Sequence, residues 1–176
     1  MLRNCGGLNR RVEERCEGLA RQGRLLQARG ADWELPWNLG ILADAYRKAG
    51  QPEEGLHVLA EALDLEALDL LDKFEGRDAE SELYRIQGEL VLQEKAQDPK
   101  SEEEAEACFQ HAIDIARNQS AKLLELRAVM SLARLWQQQG KHHAARNTLS
   151  EIYGWFTEGF DTKDLQEAKA LLEELH

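Results

Sequence analysis

The sequence predicts an all-α fold of antiparallel helix hairpins, and three observations carry this prediction. Strong helix formers, mainly Leu, Ala, Glu, Gln and Arg, fill most of the 176 residues. Only three prolines interrupt the chain, namely Pro36, Pro52 and Pro99. Alternating stretches of β-branched residues, which would indicate strands, are nearly absent. These features favour helices joined by short turns, with sequence neighbours packed antiparallel.

Eight helices are predicted, and several of their boundaries have a physical reason. Gly50 and Gly140 each follow a helical run, where a left-handed residue can end a helix. Pro52 suits the first turn of the next helix, because its missing N–H needs no partner there. Ser101 and Glu104 match a capping box at the start of the fifth helix. The predicted helices span residues 8–29, 37–49, 53–74, 79–94, 102–117, 121–139, 142–153 and 164–175.

Charge and composition exclude several classes of function. The formal net charge is -11, from 33 Asp and Glu against 22 Lys and Arg. We therefore expect no binding to nucleic acid and none to anionic membranes, since both need a positive surface. The sequence shows no secretory signal and no apolar run long enough to span a bilayer. Three widely spaced cysteines predict free thiols in a reducing compartment, so a cytoplasmic location is expected.

The first 30 residues form a basic region on an otherwise acidic chain. They hold seven arginines and three glutamates, so residues 1–30 carry +4 and the remainder carries -15. Helical spacing of apolar residues predicts a basic amphipathic helix there. The residues at this spacing are Leu8, Val12, Cys16, Leu19 and Leu26. We expect this helix to be a leading half-repeat whose apolar edge could support a homodimer.

An apolar pattern recurs every 45 residues. Its marker is a small residue on the first helix of each hairpin, found at Ala43, Gly88 and Ala133. Small residues allow two helix axes to approach closely, and large neighbours fill the space between hairpins. The second helices carry a matching set: Gly55, Leu59 and Ala62; Ala105, Phe109 and Ala112; Ala145, Leu149 and Ile152. Because one hairpin cannot bury its apolar face alone, the hairpins are expected to stack as a solenoid.

This pattern resembles the tetratricopeptide repeat, although its 45-residue period exceeds the usual 34 residues. The matching runs on the first helices are Leu39-x2-Leu42-Ala43-x2-Tyr46 and Val129-x2-Leu132-Ala133-x2-Trp136. The resemblance implies a short right-handed superhelix of about three hairpins with a C-terminal capping helix. Residues 31–176 would form it as one continuous domain. Trp155, Phe156 and Phe160 are expected to fasten the last loop and helix over the last hairpin.

A longer resemblance covers about residues 30–176. Residues 45–51, 82–90, 107–112, 125–136 and 153–162 are similar to the C-terminal repeat region of large bacterial signalling ATPases and adenylate-cyclase regulators. In that family the region is a non-catalytic sensor or scaffold. This chain has no G-x-x-x-x-G-K-[ST] motif, so the resemblance is to the repeat region alone.

No convergent set of catalytic or metal-binding residues is apparent, so we expect no enzymatic activity, no cofactor and no metal. The adjacent His142 and His143 would point about 100° apart on a helix, which does not suit a shared metal. Cys108 and His111 supply only two ligands. The acidic run 102–106 is most simply a helix N-terminus that complements the helix dipole.

Candidate binding residues lie on the first helix of each hairpin, on the face away from the packing residues. Five of them are cationic, so we expect this inner, concave face to bind a protein or peptide, preferably an acidic one. The candidates are Asn38, Arg47, Lys48, Arg85, Glu89, Arg127, Met130, Arg134 and Gln137. Two other functions remain open: sensing of a small anion by the arginines, and self-association within a signalling regulator. The same charges could also form ordinary surface pairs such as Arg85–Glu89.

Overall fold

The computed structural model describes residues 35–67, 78–94 and 98–175, and within these ranges it contains seven helices and no strand. The all-α prediction is therefore confirmed. The helices are α1 (Leu35–Ala49), α2 (Pro52–Ala67), α3 (Asp78–Glu94), α4 (Pro99–Asn118), α5 (Lys122–Gln138), α6 (His142–Tyr153) and α7 (Lys163–Glu174). The predicted leading helix within residues 1–30 lies outside the described residues. None of the described helices is both long enough and apolar enough to cross a membrane.

The helices pack in the order in which they follow one another. Each helix contacts the next one along the chain, which gives the hairpins α1/α2, α3/α4 and α5/α6. The odd-numbered helices also contact one another in sequence, from α1 to α3, α5 and α7. Within the described ranges, no two even-numbered helices come into close contact. The hairpins therefore lie in a row, with α1, α3 and α5 side by side.

Three of the helices end at a residue in the left-handed backbone conformation. Gly50 and Gly140 have φ angles of 74° and 75°, as predicted for helix-ending glycines. The N–H of Gln51 donates to the carbonyl of Tyr46 at 3.0 Å, the long bond of a Schellman motif. Ser120 adopts the same conformation at the end of α4, with φ 57°. This third turn was not predicted, because a serine does not signal a positive φ.

The N-terminus of α4 differs from the prediction. The helix begins at Pro99, three residues before the predicted start, and Asp98 is its N-cap. The Asp98 carboxylate accepts a hydrogen bond from the Lys100 N–H at 3.0 Å. Ser101 is buried inside the first turn, where its hydroxyl donates to the Asp98 carbonyl at 2.6 Å. The predicted capping box at Ser101 is therefore wrong, because Pro99 fits the first turn and Asp98 already caps it.

The repeat positions form the core. Ala43, Gly88 and Ala133 are buried, and so are all nine matching residues of the second helices. One core cluster joins α1, α2 and α3 around Leu59, Leu83 and Leu90. A larger cluster surrounds Phe109 and extends through α4, α5, α6 and α7. Because α3 borders both clusters, it joins the first hairpin to the rest.

The aromatic residues before α7 differ in how deeply they are buried. Phe156 packs against the larger core cluster, but Trp155 is 58% exposed and Phe160 is 47% exposed. Phe160 nevertheless contacts Tyr153 of α6, with ring centroids 5.8 Å apart, and Trp155 lies edge-on to Phe156 at 5.3 Å. The α7 helix is also held by its own buried apolar residues, Leu165, Ala168 and Leu171.

Candidate interaction surface

A groove lies between α1 and α3. Its volume is about 120 Å³, and we call it the α1/α3 groove. Its lining residues are Trp37, Gly40, Ile41 and Asp44 of α1, Ala79, Glu82, Leu83 and Ile86 of α3, and Arg127 of α5. On both helices the spacing is i, i+3, i+4 and i+7, which places each set on one side of its helix. The sequence therefore produces the groove from two parallel stripes of mostly apolar residues.

The floor of the groove is apolar and its rim is exposed. Leu83 and Ile86 are buried, whereas Trp37 is 45% exposed and Ile41 is 38% exposed. A Cβ atom at Gly40 would lie 2.9 Å from Leu83 Cδ2, so the glycine allows the α1 backbone to lie close to this side chain. Large apolar side chains left exposed beside an apolar floor are typical of an interaction site.

A ladder of ion pairs borders the groove and connects three helices. Arg85 binds Glu82 with two hydrogen bonds of 2.7 and 2.9 Å, and its Nη1 lies 2.5 Å from Glu89 Oε1. Arg47 of α1 pairs with Asp44 at 2.8 Å and reaches Glu89 Oε2 at 3.1 Å. The Ser131 hydroxyl of α5 donates to Glu89 Oε1 at 2.8 Å. Glu89 therefore connects α1, α3 and α5.

The ion pairs of the ladder favour the charged forms of Arg85 and Asp44. Burial by itself lowers the pKa of Arg85, but hydrogen bonds and the nearby charges of Glu82 and Glu89 outweigh it and raise the pKa above its usual range. Burial raises the pKa of Asp44, but hydrogen bonds from Lys48 and Arg47 and their charges outweigh it and lower the pKa. Arg85 and Asp44 therefore each stay paired in their charged forms.

The cations of α5 are also paired, with carboxylates of α7. Arg127 donates to Asp164 Oδ2 at 2.8 and 3.1 Å, and this hydrogen bond is the main reason that its pKa is raised. Arg134 contacts Glu167 at 3.4 Å in a more exposed pair. The two carboxylates are three residues apart on α7, so they face α5 together.

The nine predicted binding residues thus divide into groups. All five cations contact a carboxylate, and Lys48 does so at 2.5 Å from Asp44. Glu89 is the centre of the ladder, and Asn38 and Gln137 are half-buried. Met130 is only 3% exposed and belongs to the larger core cluster. The expectation that Met130 contributes to a binding surface is therefore wrong, because its side chain packs inward from α5.

Sequence reasoning missed the residues that line the groove, apart from Arg127. Trp37 and Ile41 fall outside the recurring pattern, which on α1 uses Leu39, Leu42 and Ala43. The sequence did contain a signal, because Trp37 and Ile41 are large apolar residues four positions apart and lie outside the packing stripe. A helix surface that faces only water carries polar residues at such positions.

The residues considered for metal binding have other partners. Glu106 accepts a hydrogen bond from Trp136 Nε1 at 2.9 Å, and Glu102 accepts one from Gln139 at 2.8 Å, so this part of the acidic run contacts α5. The His111 ring lies edge-on to Tyr84, with centroids 4.3 Å apart. Burial, with a smaller contribution from Glu104, raises the pKa of the Cys108 thiol to about 11. Among the described residues, no group of three potential ligands could hold a metal ion.

Comparison with known proteins leaves the function to be argued from the structure. No protein-family model matches the chain, and no curated protein matches it. The resemblance to tetratricopeptide repeats therefore stays a prediction.

Proposed function

We propose that the chain is a tetratricopeptide-like scaffold without enzymatic activity, which binds a peptide or partner domain on the side formed by α1, α3 and α5. The single observation that carries the proposal is the α1/α3 groove with its exposed rim residues Trp37 and Ile41. The row of odd-numbered helices supports it, because a stack of hairpins with this contact order presents one continuous surface. The hairpins would form a short right-handed superhelix with α7 as its cap.

The groove favours a partner with a bulky apolar side chain. A side chain placed between Trp37, Ile41 and Leu83 would remove apolar surface from water, at about 25 cal/mol for each Å² buried. The expected preference for an acidic partner has lost its main support, since each of the five cations already contacts a carboxylate. An acidic residue would have to displace such a carboxylate and leave it without its hydrogen bonds.

The same pairing disfavours the alternative of a small-anion sensor. Arg85 is mostly buried and bound on both sides by Glu82 and Glu89, so an anion would meet two carboxylates beside it. Arg127 is held by Asp164.

The proposal is tested with an array of immobilised random 12-residue peptides, probed with the labelled chain and with the Trp37→Ala variant. We expect peptides that contain Leu, Phe, Trp or Met to bind the unmodified chain, and to bind Trp37→Ala about tenfold more weakly, since one lost anchor residue commonly costs more than 1 kcal/mol. The Trp155→Ala variant is the matched control, because Trp155 is also exposed, at 58% against 45% for Trp37, but lies outside the groove. Equal binding by all three proteins, or no binding by any, would contradict the proposal.

A further inference from the structure

We infer that Arg127 and Asp164 make the α1/α3 groove selective for an uncharged peptide segment, in which a carbonyl oxygen lies beside the bulky apolar side chain. This inference rests on the proposed function and names the chemistry of the partner at the same site. Arg127 donates a hydrogen bond to the carbonyl oxygen, and Asp164 disfavours a carboxylate in its place. Arg127 lines the groove, and Asp164 of α7 forms an ion pair with it.

The other charged residues that line the groove are already engaged. Among the described residues these are Asp44 and Glu82, and each of their carboxylate oxygens contacts a basic side chain. For Asp44 the partners are two basic residues of α1, and for Glu82 the partner is Arg85. Neither carboxylate has an oxygen without a partner, so Arg127 is the lining residue that is left for a polar group of the ligand.

Arg127 uses only one edge of its guanidinium group to bind Asp164. Its Nε and Nη2 atoms both donate to Asp164 Oδ2, at 3.1 and 2.8 Å. Within the described parts of the chain, Nη1 of Arg127 has no hydrogen-bond partner. A guanidinium group carries five N–H donors, and the Arg127 side chain is 33% exposed. A carbonyl oxygen can therefore accept from Nη1 while the ion pair with Asp164 stays intact.

Asp164 determines which acceptor suits this donor. Its hydrogen bond is the main reason that the pKa of Arg127 is raised, whereas the charges of Glu82 and Arg85 act on that pKa in opposite directions. The pair of Arg127 and Asp164 has no net charge, so a carbonyl oxygen can join it without repulsion between charges. A ligand carboxylate at Nη1 would place two negative groups beside one guanidinium. The geometry therefore favours the neutral acceptor.

The same two helices provide a matched ion pair outside the groove. Arg134 of α5 contacts Glu167 of α7 at 3.4 Å, and both side chains are more exposed than those of Arg127 and Asp164. Arg134 does not line the groove. A substitution of Glu167 therefore changes the contact between α5 and α7 and the net charge as a substitution of Asp164 does, but it leaves the donor in the groove unaltered.

The test compares peptides that differ only in one side chain. Two arrays carry acetylated and amidated 12-residue peptides with a central Leu, which is followed by Asn on one array and by Asp on the other. All remaining positions are uncharged and identical between the two members of a pair. We expect the unmodified chain to bind the Asn member about tenfold more tightly than the Asp member.

Removal of the Asp164 charge should reverse this order. In Asp164→Asn, Arg127 loses its carboxylate and can form a charge-assisted hydrogen bond with the Asp member of a pair. Glu167→Gln is the matched control and should leave the order unchanged. Arg127→Gln removes the donor and should weaken the binding of the Asn members about tenfold, since a hydrogen bond to a charged group is lost. Arg134→Gln should have no such effect.

The order of binding distinguishes selectivity from a structural role. A loosened α7 would weaken both members of every pair equally, so an unchanged order in Asp164→Asn would overturn the inference. A preference of the unmodified chain for the Asp members would also overturn it. Trp37→Ala should weaken both members and keep their order. If it does so while Asp164→Asn has no effect on the order, the inference fails and the proposed function stands. If no pair depends on Trp37, both fail.

Discussion

At the scale of single residues, Gly88 approaches a neighbouring side chain, that of Phe109, more closely than any other glycine among the described residues. A Cβ atom at Gly88 would lie 2.5 Å from Phe109 Cε1, and Phe109 is fully buried. The other two hairpins combine Ala43 with Leu59 and Ala133 with Leu149 at the same positions. The two paired core positions are therefore filled in one of two ways, by a glycine and a phenylalanine or by an alanine and a leucine. The total side-chain volume is similar in both.

Gly88→Ala is expected to destabilise the protein by about 1–3 kcal/mol, since the added Cβ atom would overlap the fully buried ring of Phe109 and force it to shift. The measurement is the free energy of unfolding from urea titration followed by circular dichroism. The double variant Gly88→Ala/Phe109→Leu reproduces the pair of the other hairpins and should recover part of the loss. A double variant less stable than the sum of its two single changes would contradict this explanation.

Ser120 is a second residue with a clear expected effect. Its φ of 57° places a side chain in a region that costs roughly 1–2 kcal/mol for residues other than glycine. Ser120→Gly should therefore stabilise the protein by about 1 kcal/mol, after allowance for the greater freedom of glycine in the unfolded chain. Gly140→Ser is the matched control at the equivalent turn and should destabilise it similarly, since nothing lies within 4 Å of the added Cβ. A loss of stability in Ser120→Gly would show that the serine side chain has an essential contact.

At the scale of helices, the junction between α4 and α5 depends on one buried carboxylate. Glu125 accepts hydrogen bonds from Arg117 of α4 and Lys122 of α5, each at 2.7 Å. Burial raises the pKa of Glu125, but these hydrogen bonds and charges outweigh it and lower the pKa below its ordinary value of 4.5. The carboxylate therefore fixes the end of α4 to the start of α5 in its charged form.

This pairing predicts a loss of stability in acid. A carboxyl group whose pKa is lowered by folding contributes fully above its unfolded value, and the contribution disappears as pH falls through the folded value. Part of the free energy of unfolding should therefore be lost below about pH 4.5, and Glu125→Gln should reduce that part. At neutral pH the substitution should cost about 1–3 kcal/mol, because hydrogen bonds to a charged group are lost.

Glu167→Gln is the control for this prediction. Glu167 forms a longer, more exposed pair with Arg134, and exposed pairs contribute about 0–1 kcal/mol. Its effect at pH 7 should be smaller than that of Glu125→Gln. Equal effects would show that burial does not determine the strength of these pairs.

Most helix boundaries were predictable where a residue has a distinctive conformational preference. Gly50 and Gly140 marked the ends of α1 and α5 because glycine adopts a positive φ at low cost. The start of α4 was misplaced, because Ser101 and Glu104 match a capping pattern as well as Asp98 and Pro99 do. Local sequence offers two compatible caps there, and only the folded contacts of Ser101 decide between them.

At the scale of the whole molecule, local stability is expected to differ along the row of helices. Among the described residues, the buried cluster of α1, α2 and α3 has fewer members than the cluster that extends from α4 to α7. In stacked hairpins, stability is a sum over units and their neighbour contacts, so a hairpin with fewer buried contacts opens more readily. Hydrogen exchange measured by mass spectrometry should be faster in α1 and α2 than in α5 and α6.

Two equivalent leucines test this distribution. Leu59→Ala and Leu149→Ala remove the same side chain from the same repeat position, and both residues are fully buried. Leu59→Ala should accelerate exchange mainly in α1 and α2, whereas Leu149→Ala should accelerate it mainly in α5, α6 and α7. Uniform acceleration along the described helices in both variants would instead indicate a single cooperative unit.

The charged surface was less predictable than the core. Apolar spacing located the buried positions correctly, since burial follows directly from the repeat. The cations were located on the correct helices, but their partners were not foreseen. Arg127 meets Asp164 and Arg47 meets Glu89 only because distant parts of the chain are brought together. The groove depends in the same way on the relative placement of α1 and α3.

Three of the four tryptophans lie among the described residues, and their positions have an optical consequence. Trp37 stands on the rim of the groove, Trp136 is half-buried with its indole N–H bonded to Glu106, and Trp155 is exposed near Lys122. Their indole rings therefore lie in three environments of different polarity. Fluorescence emission from Trp37 should move to shorter wavelength when a ligand excludes water from the groove, while emission from Trp155 stays constant. The chain therefore carries a natural spectroscopic reporter at the proposed site and an internal reference remote from it.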